Sequence, residues 1–146
     1  MNYTMMGDTV NLAARLEPAA KHYGVYIFVA ENTYKVVADQ FEWRFLDNLR
    51  VKGKKKPVKA YELLSLKGEL PKENRQLVDA FDEGMKLYHD QNWVKAKKRF
   101  KDALTLEESF LDRPTTPSKV YIDRCDYYKN EPPGKDWDGV WTMTTK

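Results

Sequence analysis

Apolar residues along this chain keep one spacing in the first half and another in the second. Residues 2–6, "NYTMM", read as a short strand running into a turn at Gly7. Asp8 or Thr9 can then cap a helix whose apolar positions are Val10, Ala13, Ala14 and Leu16. Pro18 lacks a backbone donor and is expected to bend or restart that helix, and Gly24 closes it. The β-rich run "VYIFVA" (25–30) predicts a buried strand. Asn32 and Thr33 open a short helix ending near Gln40. "FEWRFLDNLRVKG" alternates well enough for one or two strands, and "VKAYELL" (58–64) predicts another. Strands and helices in this order make a small α+β unit.

Beyond "SLKGELPKEN" the period becomes helical. Leu77, Phe81, Met85 and Tyr88 recur at helix spacing, as do Val94, Ala96, Phe100, Ala103 and Leu104. "HDQN" separates these two helices, "RPTTP" ends the second, and "SKVYIDRCDYYKN" supplies a third. "EPPGKDWDGVWTMTTK" is a proline-led tail whose two tryptophans the pattern leaves unassigned.

Composition narrows the class. With 42% hydrophobic residues in 146 the chain can form a packed core, and the 32% charged fraction with no long apolar run argues for a soluble protein. A net charge of +3 is too small to imply nucleic-acid binding. Residues 1–68 carry 11 basic and 7 acidic side chains, so the positive excess sits in the first half. Cys125 is the only cysteine, which excludes an internal disulfide and points to a reducing compartment. The first 17 residues have no signal-peptide pattern, and His22, His89 and Cys125 have no metal-ligand spacing. Cys125 is expected to be a small core residue, and Trp93 a core aromatic.

The polar pair on the first helix is the candidate chemistry. Asn11 and Arg15 are four apart, so they share one face beside the Gly7–Asp8 turn. An amide and a planar, permanently charged guanidinium near a helix N-terminus suit a phosphate-bearing ligand. Spacing alone leaves a second reading open, in which Arg15 pairs with Glu17 at the surface and Asn11 is merely exposed. The basic run Lys52, Lys54, Lys55, Lys56 and Lys59 reads as a solvated hairpin; no aromatics interleave it, which disfavours nucleic acid.

The surrounding string adds a resemblance. "YTMMGDTVNLAARLE", then "VYIFVAENTY", then "LRVKGKKKPVKAYEL", resembles the C-terminal half of the class III nucleotidyl cyclase catalytic domain, the adenylate/guanylate cyclase family, over residues 2 to about 64. The resemblance implies a partial ferredoxin-like α+β domain over 1–66; the turn-rich stretch then reads as a linker over 67–74 and the helical period as an extension over 75–146. The resemblance also implies attack of a ribose 3′-hydroxyl on the α-phosphate of a nucleoside triphosphate, giving cyclic nucleotide and pyrophosphate. Asn11 would orient the ribose and Arg15 would stabilise charge on the α-phosphate. Lys52 would hold the triphosphate tail. Thr4 would sit at the purine-reading position, where threonine favours ATP. The family's Mg²⁺ or Mn²⁺ ions are held by two aspartates on elements preceding the matched stretch, and Asp8, Asp39 and Asp47 do not match that motif. The chain is therefore expected to be a piece of a longer cyclase, inactive alone, whose site is completed by a second protomer in a dimer. A cytoplasmic catalytic domain is expected, with any membrane anchor on the longer protein.

Gly84, Trp93, Ala96, Phe100 and Ala103 resemble the small-and-aromatic pattern of a tetratricopeptide (TPR) repeat, with Glu108 departing from its closing proline. Residues 118–130 would begin the next repeat. The extension is thus an all-α helix hairpin, TPR-like. It allows an alternative function, a non-catalytic dimerisation or protein-interaction module whose helices bind a protein partner.

Overall fold

The computed structural model describes residues 21–50, 56–109 and 114–142. The expected strand over 2–6, the helix opening at Asp8 or Thr9 and the bend at Pro18 lie outside the described residues. The chain divides into two compact units, residues 1–69 with 140–146, and residues 70–139.

In the first unit, residues 21–23 are helical and Gly24 turns the chain with φ 72°. That left-handed turn, followed by bends at Tyr26 and Ile27, uses up the front of the apolar run. Strand β1 is therefore only Phe28–Ala30, shorter than the expected 25–30. Helix α1 (Glu31–Val37) passes into a 3₁₀ turn (Ala38–Gln40). Strand β2 (Phe41–Arg50) is one long strand, and β3 (Val58–Leu66) runs antiparallel to it. Strand β4 (Trp141–Thr142) comes from the tail and pairs parallel to β2, with Trp141 opposite Leu49. The sheet order is β1-β3-β2-β4.

Strand alternation gives this sheet two different faces. Trp43 and Phe45 lie opposite Leu63 and Tyr61 on one face. There Tyr34 of α1 stacks on Tyr61 with ring centroids 3.7 Å apart. Arg44 lies opposite Glu62 on the other face, among buried Leu46, Leu49 and Ala60. A register shift between Phe45 and Asp47 breaks the alternation, so Leu46 and Asp47 are both buried. Arg44 donates to Glu62 Oε1 through Nε (2.9 Å) and Nη2 (2.6 Å). A pair this buried costs much desolvation, and its attraction matters chiefly because losing one partner strands the other charge.

The second unit has helices α2 (Lys72–His89), α3 (Trp93–Glu107) and α4 (Pro117–Asn130). Asn92 caps α3, its side chain accepting from the Lys95 amide, after a turn in which Gln91 takes φ 61°. The apolar stripes meet in an aromatic core of Phe81, Tyr88, Phe100 and Tyr121, joined by Trp93, Tyr128 and Trp137. Trp137, unassigned by the sequence pattern, packs edge-on to Tyr88. Buried Glu107, at the end of α3, accepts from the Ser118 amide and hydroxyl and so neutralises the start of α4. Thr116 caps the same helix by accepting from Lys119 N.

Two stability outcomes are expected from this packing. Glu62→Leu should destabilise the sheet by about 3 kcal/mol, whereas Arg44→Met with Glu62→Leu should recover most of the loss. Exchange of β2 and β3 amides in urea checks both. Gly84 is the second case, because a Cβ there would lie 2.8 Å from Phe100 Cε1, on a ring with no room to retreat. Alanine improves helix propensity by about 0.5–1 kcal/mol, but overpacking costs about 1–3 kcal/mol, so Gly84→Ala should be net destabilising. Phe100→Leu should then cost less in the Gly84→Ala background than in the parent, as read by denaturant melts of the four variants.

Candidate functional site

Thr4, Asn11, Arg15 and Lys52 all lie outside the described residues. The described part of the first unit lies between Arg15 and Lys52, and after Lys52, in the sequence. Its chemistry begins at the helical residues 21–23. The Tyr23 hydroxyl donates to Asp47 Oδ2, and both residues are fully buried. Asp47 Oδ1 also accepts from the Asn48 amide at 2.7 Å. The carboxylate thus ties the end of the first helical segment to the middle of β2. His22 packs edge-on to Tyr23 with centroids 5.0 Å apart.

Further along, β2 is held on both sides just before residue 52. Leu49 lies opposite Val58 of β3 and opposite Trp141 of β4. Sequence reasoning weighs Asp47 only as a metal ligand and leaves Trp141 unassigned. The signal for Asp47 was faint: an acidic residue inside an apolar strand, whose burial depends on a bulge. For Trp141 there was none, because its partner strand is far away in sequence.

On the opposite face, the Tyr61 hydroxyl is held above its usual pKa, first by burial, then by the neighbouring Tyr34 and Glu31. It stays protonated through the physiological range and cannot act as a base there.

Residues 1–65 match the family described as the adenylate and guanylate cyclase catalytic domain. That stretch belongs to the cyclase family. The chain is also 32% identical, over 86% of its length, to "Adenylate cyclase, terminal-differentiation specific" of Dictyostelium discoideum. It is 33% identical over 45% of its length to "Adenylate cyclase 1" of Rhizobium meliloti (strain 1021), and 35% identical over 41% to "Adenylate cyclase" of Anabaena cylindrica. The chain spans only 6%, 10% and 12% of those three proteins. No solved structure matches it significantly. A match over 86% of the chain cannot be confined to the cyclase stretch. The Dictyostelium protein therefore carries sequence similar to the helical unit as well.

Cyclases of this family use divalent metal in general. Among the described residues no group of three or more His, Cys, Asp or Glu side chains gathers as a metal site. Asp47, a carboxylate inside the cyclase stretch, is already engaged by Tyr23 and the Asn48 amide. The described residues therefore do not fit a divalent ion.

The helical unit holds the chain's single thiol. Cys125 is buried, and burial pushes its pKa up to about 12, with Asp126 raising it further and Lys97 opposing. The unfolded thiol ionises near pH 8.5, so unfolding releases a proton above that pH and folding is favoured below it. Cys125 therefore contributes full stability below about pH 8.5, lost progressively as pH rises toward 12. The native chain should leave a disulfide reagent unreacted at about pH 8 and consume one equivalent only after urea is added. Rapid stoichiometric reaction of the folded chain would contradict this burial.

Proposed function

We propose that this chain supplies the nucleotide-facing half of a class III cyclase site that converts ATP into cyclic AMP and pyrophosphate. The match of residues 1–65 to the cyclase catalytic domain carries the reading. The ordered strings around Asn11, Arg15 and Lys52 support it at residue level.

In this mechanism Thr4 accepts or donates at the purine edge and favours adenine. Asn11 hydrogen-bonds the ribose so that its 3′-hydroxyl lines up behind the α-phosphorus, a proximity effect. Arg15 presents fixed N–H donors to the α-phosphate oxygens, where negative charge grows as the new P–O bond forms and the bond to the leaving pyrophosphate breaks. Lys52 holds the triphosphate tail and follows its charge into pyrophosphate. Mg²⁺ or Mn²⁺ would be held by aspartates of a second cyclase protomer and would supply charge neutralisation at the leaving group. The reaction belongs in the cytoplasm, the compartment that suits a lone reduced cysteine.

The helical unit is read as TPR-like: α2 and α3 form one hairpin repeat, with Gly84 against Phe100, and α4 opens the next. A second role is partner binding through these helices, whose sequence has a counterpart in the Dictyostelium protein.

The test pairs the full chain with a cyclase catalytic domain that keeps its metal aspartates but lacks its own asparagine and arginine. Neither protein alone should make cyclic AMP from ATP with Mg²⁺ or Mn²⁺, and the mixture should. Arg15→Ala should lower turnover of the mixture about 100- to 1000-fold while leaving KM for ATP little changed. Cyclic AMP production by the homogeneous chain, or unchanged turnover with Arg15→Ala, would refute the reading.

A further inference from the structure

A groove of about 320 Å³ runs between α3 and α4, lined by Trp93, Val94, Lys97, Lys98, Lys101 and Lys129. Positions 94, 97, 98 and 101 are spaced 3, 1 and 3 apart, so they form one stripe along α3. This stripe is distinct from the core-facing set Trp93, Ala96, Phe100 and Ala103. Its charge is of one sign. Lys97 and Lys101 are four apart and repel each other, which an ordinary solvated helix avoids by alternating signs.

Compensation inside the groove is small. Asp126 is the acidic residue that lines it, and it is engaged by Lys97 Nζ at 2.7 Å. Lys98, Lys101 and Lys129 make no ion pair among the described residues. Arg99, one position away, faces elsewhere and is paired with Asp102 and Glu83. The apolar component is equally specific: Val94 is 63% exposed, while Trp93 is nearly covered.

We propose that this groove is a docking site for an acidic peptide segment that carries an aliphatic side chain. Carboxylates of the segment pair with Lys98, Lys101 and Lys129, and its aliphatic group covers Val94 against the edge of Trp93. The volume suits one or two side chains of an extended segment. Single-stranded nucleic acid fits less well. It needs exposed rings on which bases stack; Trp93 is already stacked on Tyr128 with centroids 4.9 Å apart, and the exposed Tyr127 of α4 does not line the groove. An anionic membrane fits less well too, because Val94 and Tyr127 are the only large apolar residues exposed on α3 and α4, and Tyr127 does not line the groove. The proposal does not rest on the cyclase reading and stands or fails by itself.

The test uses the full chain and a dye-labelled ten-residue peptide in which glutamates flank a central pair of leucines. Fluorescence anisotropy should give saturable binding that weakens with added salt. Binding should weaken about tenfold or more in Lys98→Glu/Lys101→Glu/Lys129→Glu, since three modest exposed pairs are reversed together. The same sequence with glutamine for glutamate should not bind, and replacing the leucines by glycine should weaken binding. The Trp93 indole N–H resonance should shift on titration, while Trp43, in the sheet, should not. These lysines lie on the surface, so circular dichroism should be unchanged in the triple variant, and Lys101→Gln alone should give a smaller loss. Equal binding by the triple variant, no binding at millimolar peptide, or tighter binding of an oligothymidylate or of phosphatidylserine vesicles would overturn the proposal.

Discussion

The cross-strand pair of Arg44 and Glu62 fixes the register on which the cyclase-family unit depends. A slip of one residue between β2 and β3 would carry Glu62 to the face of Trp43, Phe45 and Tyr61 and take its carboxylate away from buried Arg44. Hydrophobic contacts alone discriminate such slips poorly, because both faces of this ladder are rich in large apolar residues. A buried ion pair discriminates them strongly, at some expense in net stability. With the register set, Asp47 meets Tyr23, and Leu49 is held between β3 and β4 shortly before Lys52 in the sequence.

The same logic explains two further buried acids that hydrophobic patterning passes over. Asp47 and Glu107 each lie at 0% exposure; Asp47 accepts one hydrogen bond, from Tyr23, across a junction between elements, and Glu107 accepts two, from Ser118. Asp47 joins the end of a helical segment to β2, and Glu107 joins the end of α3 to the start of α4. A buried carboxylate with its donors supplied is a directional fastener, and greasy packing is not.

Much of this architecture was legible in the residues. The three long helices are implied by the spacing of Leu77, Phe81, Met85 and Tyr88, by that of Ala96, Phe100 and Ala103, and by the run from Ser118 to Asn130 after the break at "RPTTP". Strands β2 and β3 are implied by alternation. The features that escaped the pattern did so for physical reasons. Gly24 takes a left-handed turn that shortens β1, a conformation no hydrophobic count registers. Strand β4 is two residues long, and its pairing with β2 is non-local. The bulge at Asp47 swaps faces in mid-strand. The candidate site, which lies outside the described residues, is read from the sequence alone. Spacing put Asn11 and Arg15 on one helix face, but only the string around them singled out a nucleotide. The basic groove on α3 and α4 needed the fold, since its lysines come from two helices.

The central claim is that Asn11, Arg15 and Lys52 converge on one nucleotide when a second cyclase protomer is present. The most direct measurement is a crystal structure of the full chain bound to a metal-competent cyclase domain and 3′-deoxy-ATP, which cannot cyclise. The account predicts Asn11 at the ribose, Arg15 at the α-phosphate and Lys52 at the terminal phosphates of one bound molecule. Finding these three side chains on separate surfaces, or the nucleotide bound without them, would contradict it.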